Sequence, residues 1–410
     1  MMHGPAGSRP TLVDSNYAWL RLGMALLLCT LGSAGMWTYV VALPAVQADF
    51  GVVRADATLP FTMAMVGFGA GNALIGRLTD RTGIFLPILV GIGSLGIGYV
   101  GSGMAPNLWV LAGFHVLIGF GASAFFGPMI SDISHWFEKR RGIAVAIAAS
   151  GNYVAGTIWP GVMSHFLATS GWRATHIGIG IFCVIATLPL SLMFRGGTHV
   201  PDESAERTNG FRAPDLGVSP NTLFVLLCIA GVGCCVAMAM PQVHIVAYCG
   251  DLGYGVARGA EMLSLMLACG IVSRIGSGFI ADRFGGVVSL LLGALMQAVA
   301  LTLYLFFDGL TSLYLISALF GLFQGGIVPS YAVITREYFP PREAGTRMGI
   351  IILATVFGMA LGGWMSGAIF DWTGSYRAAF ANGVAWNLIT LAVAIWLLHS
   401  GRPTARPATA

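Results

Sequence analysis

Apolar residues in this chain fall in long unbroken runs, and the polar positions gather between the runs instead of alternating with them. A helix needs about 20 mostly apolar residues to cross the ~30 Å hydrocarbon core of a bilayer. Twelve runs reach that length, at about 19–43, 57–77, 84–104, 107–131, 142–167, 174–194, 222–248, 257–281, 286–306, 311–335, 346–370 and 377–399. Most breaks between them are short. The exception, Arg195 to Pro220, is rich in Gly, Pro, Ser and charge and reads as a linker. The pattern predicts an all-α membrane protein of twelve transmembrane helices in two six-helix bundles, residues 1–195 and 221–410, joined by a cytoplasmic linker over 196–220. The first run has no small-residue cleavage site after it, so it reads as a retained span and not as a signal peptide.

The two halves echo each other. GRLTDRTG (Gly76–Gly83) follows span 2, and GFIADRFG (Gly278–Gly285) follows span 8, an offset of 202 residues. EKRRG (Glu138–Gly142) after span 4 has a looser counterpart in AGTRMG (Ala344–Gly349) after span 10, and GWR before span 6 matches GSYR before span 12. Echoes in the same order point to duplicated halves related by an axis along the membrane normal.

Composition agrees with a membrane protein. Of 410 residues 56% are hydrophobic and 9% charged, against roughly 25% charged in soluble domains, which excludes a water-facing globule. The 57 glycines suit close helix packing in lipid. A net charge of +4 is no nucleic-acid signature. The seven cysteines lack metal-ligand or redox spacing, and no Walker loop, HExxH or catalytic triad pattern stands in a plausible context. Neither an enzyme nor a cofactor is expected. With both termini cytoplasmic, 16 of the 21 cations lie inside, four (Arg54, Arg173, Arg258, Arg377) lie outside, and one, Arg274, falls within a span; the positive-inside rule selects that topology.

Arg274 is the sharpest chemical feature. An arginine at the centre of a membrane helix costs about 2.5–3.5 kcal/mol and cannot escape by losing its proton. A guanidinium facing a cavity can grip a planar carboxylate through two parallel hydrogen bonds. The alternative is a structural ion pair with a carboxylate from another span, such as Glu261 or Asp132. Histidine as a residue type titrates near neutrality, which makes His244 in span 7 and His115 in span 4 candidate proton carriers, though either is also explained as a packed histidine bonded to a carbonyl. Polar or aromatic residues at mid-span (Trp37, Tyr39, Asn72, Phe125, Asn152, Tyr153, Gln324, Tyr331, Asn382) are weaker cavity candidates that also fit plain packing.

GRLTDRTG resembles the loop signature of the major facilitator superfamily, and its duplicate extends the resemblance over the whole chain. The resemblance implies alternating access, with Gly76, Asp80, Arg81 and Gly83 and their counterparts Gly278, Asp282, Arg283 and Gly285 latching the cytoplasmic side. Within that superfamily, Phe125–Gly151 with its Lys-Arg-Arg, GWR before span 6 and ACGIVSRIGSGFIADRFGG (Ala268–Gly286) are similar to the monocarboxylate transporter family and its bacterial oxalate/formate-type relatives. Arg274 falls where that family carries its substrate-binding arginine, and His244 where the bacterial relatives place a cavity histidine beside it. The same resemblance singles out Tyr331 in span 10, and puts His115 in the place of a motif arginine of proton-coupled members. Two positions depart from the animal members, which carry a lysine in span 1 and an aspartate one turn before the arginine; here they read Trp37 and Gly270. The expectation is an inner-membrane, proton-coupled symporter of a small monocarboxylate such as lactate or pyruvate, acting as a monomer. Arg274, His244, Tyr331, Phe125, Asn152 and Gln324 form its expected site, with His244 or His115 carrying the proton. An oxalate/formate-type anion exchanger and a non-transporting carboxylate sensor are the alternatives.

Overall fold

A computed structural model describes residues 13–195 and 218–400. The expected linker lies almost wholly outside the described residues, as do the cations Arg9, Arg207, Arg212, Arg402 and Arg406. The chain before it forms α1 (Asn16–Gly32), α2 (Ala34–Phe50), α3 (Arg54–Thr82), α4 (Phe85–Gly103), α5 (Leu108–Ser123), α6 (Gly127–His135) and α7 (Arg141–Ser191). The chain after it forms α8 (Pro220–Asp251), α9 (Val256–Phe284), α10 (Gly286–Phe306), α11 (Leu310–Gln324), α12 (Ile327–Tyr338), α13 (Pro341–Thr373) and α14 (Tyr376–Ser400).

Eleven helical stretches are long and apolar enough to cross a membrane. The pairs α1/α2, α5/α6 and α11/α12 each make one bent span. Conversely, the 51 residues of α7 would extend roughly 77 Å at 1.5 Å per residue, more than twice the bilayer core. It is two spans, broken at Gly171, whose φ of 75° is a left-handed value that costs glycine nothing. That division restores the twelve spans expected from the hydropathic pattern. Side-chain caps start several helices: Asn107 accepts from Val110 N and Ser219 from Thr222 N. The loop motif's last glycine has a physical reason in both copies, since Gly83 and Gly285 end their helices at φ 76° and 86°.

The duplication is visible in the packing. A Cβ on Gly119 of α5 would stand 1.8 Å from the Ala64 carbonyl oxygen of α3, and one on Gly321 of α11 would stand 2.0 Å from that of Met266 in α9. The two contacts are separated by the same 202 residues as Asp80 and Asp282. One turn on, Gly71 faces Ser123 in the first half and Gly325 faces Ser273 in the second, the same contact with glycine and serine exchanged. Between the halves, α3 lies on α13, α7 on α9 and α2 on α8. Exchanging the halves turns the first seam into the second and the third into itself.

These seams close the assembly on one face only. On the face away from the termini, a Cβ on Gly367 would meet Ala55 at 3.0 Å and one on Gly363 would meet Phe61 at 3.2 Å; the α3–α13 seam continues down to Gly69 against Leu353. Nearer the termini, Cβ atoms on Gly76, Gly276, Gly278 and Gly349 would meet nothing within 4 Å. Asp80, Arg81, Asp282 and Arg283 are exposed there, and none is in an ion pair among the described residues. The halves therefore part on the termini face and meet on the far face.

Candidate functional site

Arg274 lies at the lower end of the α7–α9 seam, where the two halves begin to part. Its guanidinium stacks on the Tyr153 ring at 4.4 Å and its Nη1 donates to the Ala149 carbonyl at 3.1 Å, both on α7 of the opposite half. Its Nε is buried without a hydrogen-bond partner, and among the described residues Nη2 makes no hydrogen bond either. Both carboxylates that might have paired with it are engaged elsewhere. Asp132 is held by Arg21 through Nε at 2.8 Å and Nη2 at 2.9 Å. Glu261 takes Arg258 at 3.0 Å and the Tyr314 hydroxyl. Arg21 thus shows the bidentate grip of a carboxylate by the Nε/Nη2 edge, and on Arg274 the same two nitrogens carry no hydrogen bond among the described residues. One turn along α7, Asn152 is half-buried and its Oδ1 accepts from the Trp37 indole at 3.0 Å. Trp37 and Leu267 close around Gly156, so α2, α7 and α9 meet at this point.

The other expected site residues fall elsewhere. His244 does not stand as a ligand beside Arg274. Its Nε2–H donates to the Gly363 carbonyl at 2.8 Å, which leaves Nδ1 to accept from the Tyr376 hydroxyl at 3.1 Å. Tyr331 is fully buried inside the second half, its hydroxyl 3.5 Å from Cys234 Sγ, so it offers no surface to a cavity. Phe125 is fully buried in the first half, where its ring packs over Gly32 and Gly91. Gln324 accepts from Gln242 at 2.8 Å and keeps its own Nε2 buried and unpartnered. His115 is buried in the first half, donating to the Leu111 carbonyl at 2.9 Å and lying 3.3 Å from the Ser102 hydroxyl. The same positions of the second half hold Ser317 and Tyr304, bonded at 2.8 Å. A polar link thus recurs at this place in both halves, with a histidine in one and a serine in the other.

A second constellation closes the far face, and sequence reasoning missed it. Arg54, one of the four outside cations, is the first residue of α3 and is 6% exposed. It crosses to the second half, gripping Asp251 of α8 with two nitrogens at 3.1 Å each and bonding the Tyr376 hydroxyl. Its Nε donates to Gln47 at 2.6 Å, and its guanidinium lies 4.8 Å from the Phe370 ring. Asp371 of α13 accepts from the backbone N–H groups of Arg54 and Ala55 at 2.9 and 2.7 Å, capping α3 from the other half. Tyr376 passes the chain on to His244.

Comparison with known proteins bears on the family and the fold. The family model described as Major Facilitator Superfamily matches residues 25–310 and 262–410. Monocarboxylate transporter 13 of Bos taurus is 25% identical over 407 residues, covering 96% of this chain and 93% of its own. The sialic acid transporter NanX of Escherichia coli is 24% identical over 77% of this chain and 78% of its own. Among solved structures, a bacterial homologue of the human lysosomal transporter Spinster, inward-facing and unoccupied, superposes with a TM-score of 0.68 at 18% identity, with 96% of each chain covered.

Proposed function

The chain belongs to the major facilitator superfamily, and from that premise we propose that it is a secondary transporter that carries a small monocarboxylate, held by Arg274, together with a proton. The free Nε/Nη2 edge of Arg274 at the seam between the halves carries this reading. A cation kept in a membrane protein at a cost of about 2.5–3.5 kcal/mol, with both candidate carboxylates paired elsewhere, fits a ligand that supplies its own carboxylate. The full-length similarity to a monocarboxylate transporter supports the same substrate class. Asn152, half-buried one turn along α7, remains the polar side chain available to the rest of the ligand.

With the termini face cytoplasmic, as the cation count favours, the conformation is inward-open and occupies one end of an alternating-access cycle. The exposed Asp80/Arg81 and Asp282/Arg283 then become the latch of the opposite state. A proton travelling with the anion removes the work of moving charge across the membrane, about 2.3 kcal/mol per 100 mV. His244 is the proton carrier on this reading, and it acts on the far-face latch through Tyr376. A dianion exchanger would need a second cation in the cavity, whereas Arg347 at the start of α13 is tied to Glu343 and Asn221.

The test is uptake into proteoliposomes of labelled lactate, pyruvate, oxalate and sialic acid, with and without an inward proton gradient. We expect gradient-stimulated uptake of a monocarboxylate that Arg274→Ala abolishes. Undiminished uptake by Arg274→Ala, or no movement of any carboxylate, refutes the proposal.

A further inference from the structure

We propose that Tyr153 is the positioning residue for Arg274, and that Gly270 is the position that admits it. The inference rests on the reading of Arg274 as the carboxylate grip. Tyr153 is 7% exposed and belongs to the first half, whereas Arg274 belongs to the second. A Cβ on Gly270, one turn before Arg274 on the same helix, would stand 2.4 Å from Tyr153 Cε1 and 2.6 Å from Cδ1. Any side chain at 270 therefore takes the space the ring now fills.

The ring does two things. Its π face lies against the guanidinium at 4.4 Å, where it meets the cation's charge without contributing an anion. A carboxylate in that place would occupy the Nε/Nη2 edge itself; an aromatic face leaves the edge free. The ring also fixes the plane of the guanidinium. With one face on Tyr153 and an Nη1 N–H on the Ala149 carbonyl, the plane is set and the Nε/Nη2 edge is the one left without a bond. Because both restraints come from α7 of the other half, the grip is shaped by the closing of the α7–α9 seam, and the preorganised edge exists only while that seam is in register.

The experiment reads the contact and its consequence separately. Phenylglyoxal adduct formation at Arg274, followed by peptide mass spectrometry in the full-length protein without substrate, reports how well the guanidinium is covered. Monocarboxylate uptake in proteoliposomes reports KM against Vmax. Tyr153→Leu is expected to raise the adduct rate at Arg274 and to raise KM about three- to thirty-fold, the range of a cation–π contact from exposed to desolvated, with Vmax within about twofold. Tyr153→Phe, which keeps the ring, restores both values. Gly270→Ala moves both in the same direction as Tyr153→Leu, and the two together are no worse than the larger one alone. Unchanged labelling or unchanged KM in Tyr153→Leu, or failure of Tyr153→Phe to restore them, overturns the positioning role while leaving the carboxylate reading intact so long as Arg274→Ala still abolishes uptake. Uptake that survives Arg274→Ala overturns both.

Discussion

If the Arg54 network holds the far face shut, neutralising Asp251 must shift the protein towards the opposite conformation by a calculable amount. Arg54 sits on the first half and Asp251 on the second, so the pair contributes only while the halves meet there. Only such a differential interaction moves a conformational equilibrium. Asp251→Asn retains the size of the side chain and removes its charge. Breaking a fully buried ion pair costs about 3–5 kcal/mol. Here the Asp251 side chain is 38% exposed and Arg54 keeps Gln47 and Tyr376, so the charged hydrogen-bond range of about 1.5–3 kcal/mol is the fitting one. That amounts to about a tenfold to hundredfold shift in the ratio of far-face-closed to far-face-open molecules. Spin labels at Val53, beside the start of α3, and at the exposed Trp372, at the end of α13, report the gap by double electron–electron resonance. The half-buried Cys228 and Cys269 would first be replaced by alanine. The parent should show one short distance, and the variant a second, longer population grown by that factor. An unchanged distribution would mean that the network is a passive surface contact, and the reasoning would fail.

Four more expectations follow from the same geometry. Arg274→Lys keeps the charge but loses the fork, so uptake should fall at least about tenfold in kcat/KM without being abolished. Acidification should open the far face: a proton on His244 Nδ1 makes it a donor against a hydroxyl that already accepts from Arg54; His244 bonds Tyr376 and the Gly363 carbonyl, and Tyr248, Arg54 and Asp251 follow beyond Tyr376. Spin-label distances that shift with pH in the parent and not in His244→Gln would verify it, and the same response in both would disprove it. Asp282→Asn removes a group that has no ion pair among the described residues in this conformation, so it should favour the far-face-closed state, the reverse of Asp251→Asn. Gly119→Ala and Gly321→Ala press a methyl onto a backbone carbonyl and should each lower the unfolding temperature of the solubilised protein, overpacking being worth about 1–3 kcal/mol. Gly113→Ala, with open space around it, should not.

The spans and the repeat were legible because lipid imposes both: a helix must be long and apolar to cross, and a duplicated bundle keeps its loop signature. Arg274 was legible for the same reason, since a cation is costly inside a bilayer wherever it points. What a single sequence withholds is which way a side chain faces. A helix that is apolar all round has no polar side to orient it, so Phe125 and Tyr331 read as cavity aromatics although each is buried within its own half. Partners were equally hidden: His244 meets Tyr376 across 132 residues, and Arg54 meets Asp251 across 197.

The structure supplies a rule the sequence could have been asked about. Positions 202 residues apart that do the same packing job keep their character, as Gly119 and Gly321 do, or exchange it within the contact, as Gly71/Ser123 and Ser273/Gly325 do. Asp49, the counterpart of Asp251, pairs within its own half with Arg173 at 2.9 Å, while Asp251 crosses to Arg54. Arg274 has Asn72 as its counterpart, and Tyr153 has Thr355. A scaffold made of two like halves has use for the same packing twice, but on the proposed function a single anion needs one guanidinium, and one gate needs one crossing ion pair. The expectation is therefore that substitutions at Arg274, Tyr153 and Arg54, where the repeat breaks between the halves, change transport, whereas substitutions at Gly119 and Gly321, where it holds, change stability.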